Sequence, residues 1–390
     1  MALNAIIGWP DASGALTFAQ RLTGVLFVLS SAMQGAAAVA ALDHGGKRQF
    51  KASGAVVLLG VLIALATDSL LLFLWSEEME YTPYALVFMP LWCWSLWALF
   101  ILVREKSWKG IPQPRRFAAG VVASALLTGV SLAYSTMYQP VAAPVHFTLR
   151  ADFGKSWLDR TVPFIQVPLT LYMKNTGGIP LYILNDEYTV RARGATYNEH
   201  PGRRDLESEW QESAGKRGEE AEQYVREIKY RRVSSEHFYE PGKPIEAGQE
   251  YTLKRVFQLP KDATYDTVRV DLTISYIRKD RGKLDVEEFA IPHYSWKEED
   301  SRFSCCGRAV IYHAQVRHNN NLVNLTRRPR FATAIWSPVR PPTSSISRFG
   351  FWEERGPGSE EKREKERYGA AEVFLTSEVP FAELLKSSGA

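Results

Sequence analysis

Four long apolar runs in the first third of the chain constrain its fold more than any other feature. They cover about Leu22 to Leu42, Gly54 to Trp75, Pro83 to Val103 and Phe117 to Met137. Each approaches the roughly 20 residues that an α-helix needs to cross about 30 Å of hydrocarbon. Such runs in close succession are rare in a water-soluble core. Residues 1–140 are therefore expected to form a four-helix transmembrane domain, with the lipid bilayer as its first partner.

Loop charges predict an orientation, because Lys and Arg concentrate on the cytoplasmic side. Lys47, Arg48 and Lys51 lie in the first loop, and Arg104, Lys106, Lys109, Arg115 and Arg116 in the third. The second carries Glu77, Glu78 and Glu80 and no basic residue. The first and third loops are thus expected inside, and both termini outside, in a multi-pass protein of the cell membrane. Ala38-Val39-Ala40 also fits a small-x-small cleavage pattern. Cleavage there would leave Lys47, Arg48 and Lys51 outside, against the charge bias.

Asp68 lies well inside the second run, where an unpaired carboxylate costs on the order of 3 kcal/mol or more. It needs a partner, a proton or water. Thr67, Ser69 and Gln34 offer hydrogen bonds, and Arg21 offers a charge if the first helix starts before Leu22 with Ser13 as its cap. A structural Asp68–Arg21 pair is the expectation, and a proton or ion site the alternative. Gly120, Ser124 and Thr128 in the fourth run, and Ser31 and Gly35 in the first, allow close helix packing.

After Tyr138 the segment Gln-Pro-Val-Ala-Ala-Pro reads as an extended spacer, and the apolar period changes from helical to two. Val145, Phe147 and Leu149 alternate with polar residues, as do Leu169, Leu171 and Met173 before the turn cluster Asn175-Thr176-Gly177-Gly178. Leu181–Val190 and the residues from Tyr251 to Leu259 continue the pattern. It is clearest at Val268, Val270, Leu272, Ile274 and Tyr276, and a last strand is expected at about 308–317. Alternation of this kind suits antiparallel sheets with one wet face, and the strand number suits a β-sandwich over 141–337.

The stretch from Leu169 through Asn175-Thr176-Gly177-Gly178 to Leu181, with Glu246-Ala-Gly-Gln-Glu-Tyr-Thr-Leu253, resembles bacterial immunoglobulin-like domains. The arrangement as a whole resembles uncharacterised actinobacterial membrane proteins. These resemblances imply a sandwich and bring no catalytic residue.

Residues 197–235 read as a charged insertion. Ala221, Tyr224, Val225 and Ile228 would share one helix face, with Glu219, Glu220 and Glu222 at its start and Arg226, Lys229, Arg231 and Arg232 at its end. Residues 338–390 read as a flexible tail ending in a short helix capped by Ser377, with Phe381, Leu384 and Leu385 on one side.

A net charge of +4 with interleaved acids gives no nucleic-acid stripe. No Walker loop, GxSxG elbow, HExxH, EF-hand loop or dinucleotide fingerprint is present. Cys93 lies in an apolar run, and Cys305 and Cys306 are adjacent, which suits a vicinal disulfide or free thiols better than a zinc site with His313 and His318. No catalytic residue, metal or cofactor is expected. Tyr294, Trp296, Trp336 and Trp352 offer either a ligand platform or core packing. The sequence thus favours a membrane-anchored immunoglobulin-like interaction domain, with envelope or membrane proteins as its expected partners. The alternatives are a small transporter or sensor using Asp68, and an envelope enzyme.

Overall fold

A computed structural model describes residues 1–15, 18–46, 52–78, 80, 82–105, 145–158, 161–197, 225–297, 308–337, 342–348 and 359–387. The expected fourth span, the first part of the charged insertion, Trp352, Cys305 and Cys306 lie outside these residues.

The described chain begins with helix α1 (Ala2–Gly14), followed by α2 (Phe18–Gly45), α3 (Ser53–Glu78) and α4 (Ala85–Arg104). The last three are long and apolar enough to cross a membrane, which makes this a membrane protein. On α4, Ala85, Phe88, Ser95 and Leu102 form the buried stripe. Leu86, Trp94, Trp97 and Phe100 face outward, as lipid-facing side chains do. At about 1.5 Å per residue, α1 is too short to span. It lies against α2 through paired glycines. A Cβ on Gly8 would come within 2.6 Å of the Gly24 carbonyl oxygen, so only glycine permits this approach. Ser13 belongs to α1 and donates from Oγ to the Trp9 carbonyl at 2.8 Å, so it does not cap the first span.

The second part is built from antiparallel strands. In chain order they are β1 (Phe147–Phe153), β2 (Trp157–Leu158), β3 (Phe164–Asn175), β4 (Leu181–Tyr197), β5 (Val225–His237), β6 (Pro244–Ile245) and β7 (Glu250–Pro260). Then come β8 (Thr267–Arg278), β9 (Gly282–Leu284), helix α5 (Val286–Phe289), β10 (Pro292–Tyr294), β11 (Val310–His318) and helix α6 (Asn321–Thr326). The described chain closes with β12 (Arg330–Trp336), β13 (Thr343–Ser347), α7 (Ser359–Tyr368), β14 (Ala371–Pro380) and α8 (Phe381–Ser387).

These strands make three sheets. In the first, β1 and β2 pair with one edge of β3 and β7 with the other. The second runs β14-β8-β4-β5, with β6 also on β4. The first two sheets face each other across a core of Ile165, Val167, Leu169 and Leu171 on one side and Val190, Val268, Val270 and Leu272 on the other. The third sheet runs β10-β11-β12-β13, with β9 also on β11. It packs on the other face of the second, where Tyr182, Leu184 and Ile277 meet Ala314, Val316, Ala332, Ala334 and Ile346. Strand β4 therefore serves two cores, which explains why it is apolar on both faces at its start.

Two expectations need correction. The insertion is not helical from Val225 onward: β5 pairs with β4 from Tyr197↔Val225 to Glu187↔His237. The helical spacing of apolar residues loses to the pairing that β4 offers from Glu187 to Tyr197. Residues 338–390 are not simply a flexible tail. Within them β13 pairs with β12, α7 docks, and β14 pairs with β8 from Ala371↔Tyr276 to Pro380↔Thr267. Ser377 lies in that strand, and the helix that follows starts at Phe381, burying Phe381 and Leu384 in the main core.

Candidate functional site

The membrane helices and the β domain meet through a buried polar seam, which follows from local requirements on each side. Pro10 in α1 has no N–H, so the Ile6 carbonyl loses its helical donor. Asn321, at the start of α6, supplies one: its Nδ2 donates to the Ile6 carbonyl at 3.1 Å and to the Ile7 carbonyl at 3.3 Å. The Asn321 backbone N–H donates to both oxygens of Asp11 at 3.2 and 3.3 Å. Leu322 then enters the helix cluster of Ile7, Phe27, Leu71 and Phe88. Burial pushes the Asp11 carboxyl up to about 7, although the Asn321 N–H favours the ionised form.

Beside this contact, Glu80, between α3 and α4, accepts from the Arg328 backbone N–H at 2.8 Å and from both terminal nitrogens of Arg330. Arg348 Nε lies 3.8 Å away. Arg330 also reaches Glu364 of α7 at 3.3 Å, and Glu364 accepts from Arg327 at 3.0 Å and Arg367 at 3.1 Å. Glu80, Arg327, Arg330 and Glu364 are all buried. Burial raises the Glu80 carboxyl, but the Arg330 hydrogen bonds and charge outweigh it and hold the group below its ordinary range. His318, next to this network, is pushed well below its ordinary value by burial and by Arg327 and Arg367, and stays neutral.

The far end of the third sheet carries the aromatic residues. Tyr294, Val310 and Trp336 lie side by side across β10, β11 and β12. The Tyr294 and Trp296 rings are 5.3 Å apart, and Trp296 and Ile291 are exposed. Trp336 and Tyr312 each place a ring 5.6 Å from the ring of His237. His237 Nδ1 is 3.0 Å from Oδ1 of Asp186, whose other oxygen accepts from the Tyr239 N–H; its Nε2 is 3.3 Å from the Tyr312 hydroxyl. Burial and the Asp186 charge push the Tyr312 phenol up to about 12, so it keeps its proton beside the imidazole. From Arg330 at the seam to Trp336 is six residues of strand, about 20 Å. The aromatic end is thus held away from the membrane helices.

The residues singled out in the sequence fare differently. Asp68 and Arg21 do not pair. Arg21 donates to the Ala15 carbonyl at 3.2 Å, whereas Asp68 accepts from Ser95 Oγ at 3.3 Å. Arg21 belongs to the first turn of α2 and turns back over the end of α1, a helix the sequence reading did not separate from α2. Cys93 is a free, exposed thiol on α4. His313 is buried in β11, with Nδ1 2.8 Å from the Thr333 hydroxyl. Among the described residues no cluster of three His, Cys, Asp or Glu side chains could hold a metal ion. Sequence reasoning missed Asp11, Glu80, Asn321, Arg330 and Glu364. Pro10 inside α1 was the one available signal, since it marks a carbonyl needing an outside donor.

No family model and no curated protein matches the chain. Among solved structures, a Bordetella pertussis protein assigned as ApaA aligns at 10% identity over 35% of this chain and 83% of its own, with a TM-score of 0.18. Spo0M, a sporulation control protein from Bacillus subtilis, aligns at 10% identity over 62% of this chain and 94% of its own, with a TM-score of 0.20. Likeness this low carries no argument about fold or role.

Proposed function

We propose that this chain is a membrane-anchored interaction protein that holds an immunoglobulin-like β domain outside the cytoplasm at a fixed angle to the membrane. The observation that carries this reading is the buried Glu80–Arg330–Glu364 network together with the Asn321–Asp11 contact. A domain on a loose tether needs no such seam. Removing one partner from a buried ion pair leaves the other charge uncompensated, so the seam resists partial opening. The end of the third sheet away from the seam bears exposed Ile291 and Trp296, the residue types that anchor protein contacts. The loop charges support a position in the cell envelope for this face.

The test is site-specific photocross-linking in intact cells, with the cross-linker at Trp296 or, as a control, at Arg328 beside the seam. A discrete adduct from Trp296 and none from Arg328, with the cross-linker reachable from outside the membrane, supports the reading. Equal labelling from both positions, or access only from the cytoplasm, rejects it.

A further inference from the structure

Asp68 lies on α3 eight residues before Ser76, the end of the apolar span, or about 12 Å in. It is 4% exposed. Its hydrogen-bond partner is the Ser95 hydroxyl, at 3.3 Å. The other acidic and basic side chains described on the spanning helices, Arg21, Asp43, His44 and Arg104, lie near helix ends. On the α1 side, the α-amino group of Met1 attracts Asp68 but makes no ion pair with it. Among the described residues this attraction is the one offset to the Asp68 charge where hydrocarbon surrounds the helices, and it is not a direct ion pair.

A second observation concerns buried amide groups on the neighbouring helices. Among the described residues Asn4 Nδ2 and Gln34 Oε1 are buried without hydrogen-bond partners. Gly60 meets Ala37, and Gly8 meets Phe27. Counting along the helices from these contacts puts Asn4 and Asp68 within about one turn of the same depth, with Gln34 roughly two turns farther along. An orphaned amide in hydrocarbon costs several kcal/mol, which a hydrogen-bonded water removes.

We infer that Asp68 and Ser95 form a proton-binding site inside the bundle, with water on Asn4 at about the same depth. The ligand is the proton itself. Protonation removes the charge that the bilayer penalises and gives Asp68 an O–H to donate, while its carbonyl oxygen still accepts from Ser95. A monovalent metal ion would need several oxygen ligands, whereas Asp68 and Ser95 supply few. The site is independent of the presentation role proposed above, because it uses neither the β domain nor its orientation.

The experiment is infrared difference spectroscopy on the full chain in lipid nanodiscs, comparing wild type with Asp68→Asn. A protonated carboxyl C=O band is expected at neutral pH. It should be absent in Asp68→Asn, shifted by heavy water, and converted to carboxylate bands under alkali. Asp11, also inclined to hold a proton, contributes equally to both proteins and cancels. Ser95→Ala should keep the band and move its frequency, which separates the site from any folding defect of Asp68→Asn. Carboxylate bands alone at neutral pH would overturn the inference. So would a protonated band that appears only when sodium is replaced by choline, since that would make the site a cation site.

Discussion

Replacing Glu80 with Gln tests the seam at the buried carboxylate that faces Arg330. The substitution keeps the shape and one acceptor oxygen but removes the charge that faces Arg330. Arg330 would retain Glu364 at 3.3 Å, a carboxylate already shared with Arg327 at 3.0 Å and Arg367 at 3.1 Å. Breaking a buried pair costs about 3–5 kcal/mol. The remaining carboxylate argues for the lower end, about 3 kcal/mol, which is roughly a hundredfold change in an opening equilibrium. Hydrogen exchange in nanodiscs should then speed by about that factor at residues 321–330, and much less in β8. Adding Arg330→Met should recover part of the loss, because it removes the stranded charge and leaves Glu364 to Arg327 and Arg367. The pH dependence has a fixed sign. Glu80 is held below its ordinary range, so its contribution is complete above about pH 4.3 and is lost as the pH falls further through the folded value. Exchange unchanged in Glu80→Gln, or losses in the two variants that simply add, would refute the reasoning.

Asn321→Ala should leave the Ile6 carbonyl unsatisfied and cost about 1–3 kcal/mol, read as a lower melting temperature in detergent, whereas Asn321→Gln should cost less. Asp11 is raised to about 7, so the folded form holds its proton while the unfolded chain loses its own near 3.9, and stability falls as the pH rises across that window. Asp11→Asn should flatten this dependence and leave the protein at least as stable as wild type at pH 8, as denaturation at several pH values would show. Gly24→Ala should sharply reduce the yield of folded protein, because its Cβ would meet the α1 backbone.

Much of the architecture is written in local pattern. The spans announce themselves by length and purity. Strand β8 shows its two faces in the alternation of Val268, Val270, Leu272 and Ile274 with Arg269, Asp271 and Thr273, because one face is wet along its length. Strand β14 has the same period in Val373, Leu375 and Val379, but a charged stretch before it masks the pattern. That stretch includes α7, polar on almost every side, which is held by Glu364 and Tyr368 reaching Arg327. Strand β5 is the opposite case, since its apolar spacing suits a helix and only the neighbouring edge of β4 makes it a strand. The seam left least trace. Glu80 and Arg330 are 250 residues apart, and each reads as an ordinary surface charge until the fold buries both. Asp68 was legible as a problem, but its partner was not: Ser95 on α4 is one hydroxyl among many, and Arg21 was the more obvious candidate.

The account rests on a β domain fixed to its membrane helices, and one distance distribution tests that most directly. Spin labels placed through unnatural amino acids at Ser76, at the end of the second span, and at Glu372, on the exposed side of β14, report the separation in nanodiscs by pulsed dipolar spectroscopy. A single narrow distribution is predicted for the wild type, with broadening in Glu80→Gln. A broad distribution in the wild type, unchanged by Glu80→Gln, would show a tethered domain and contradict the account.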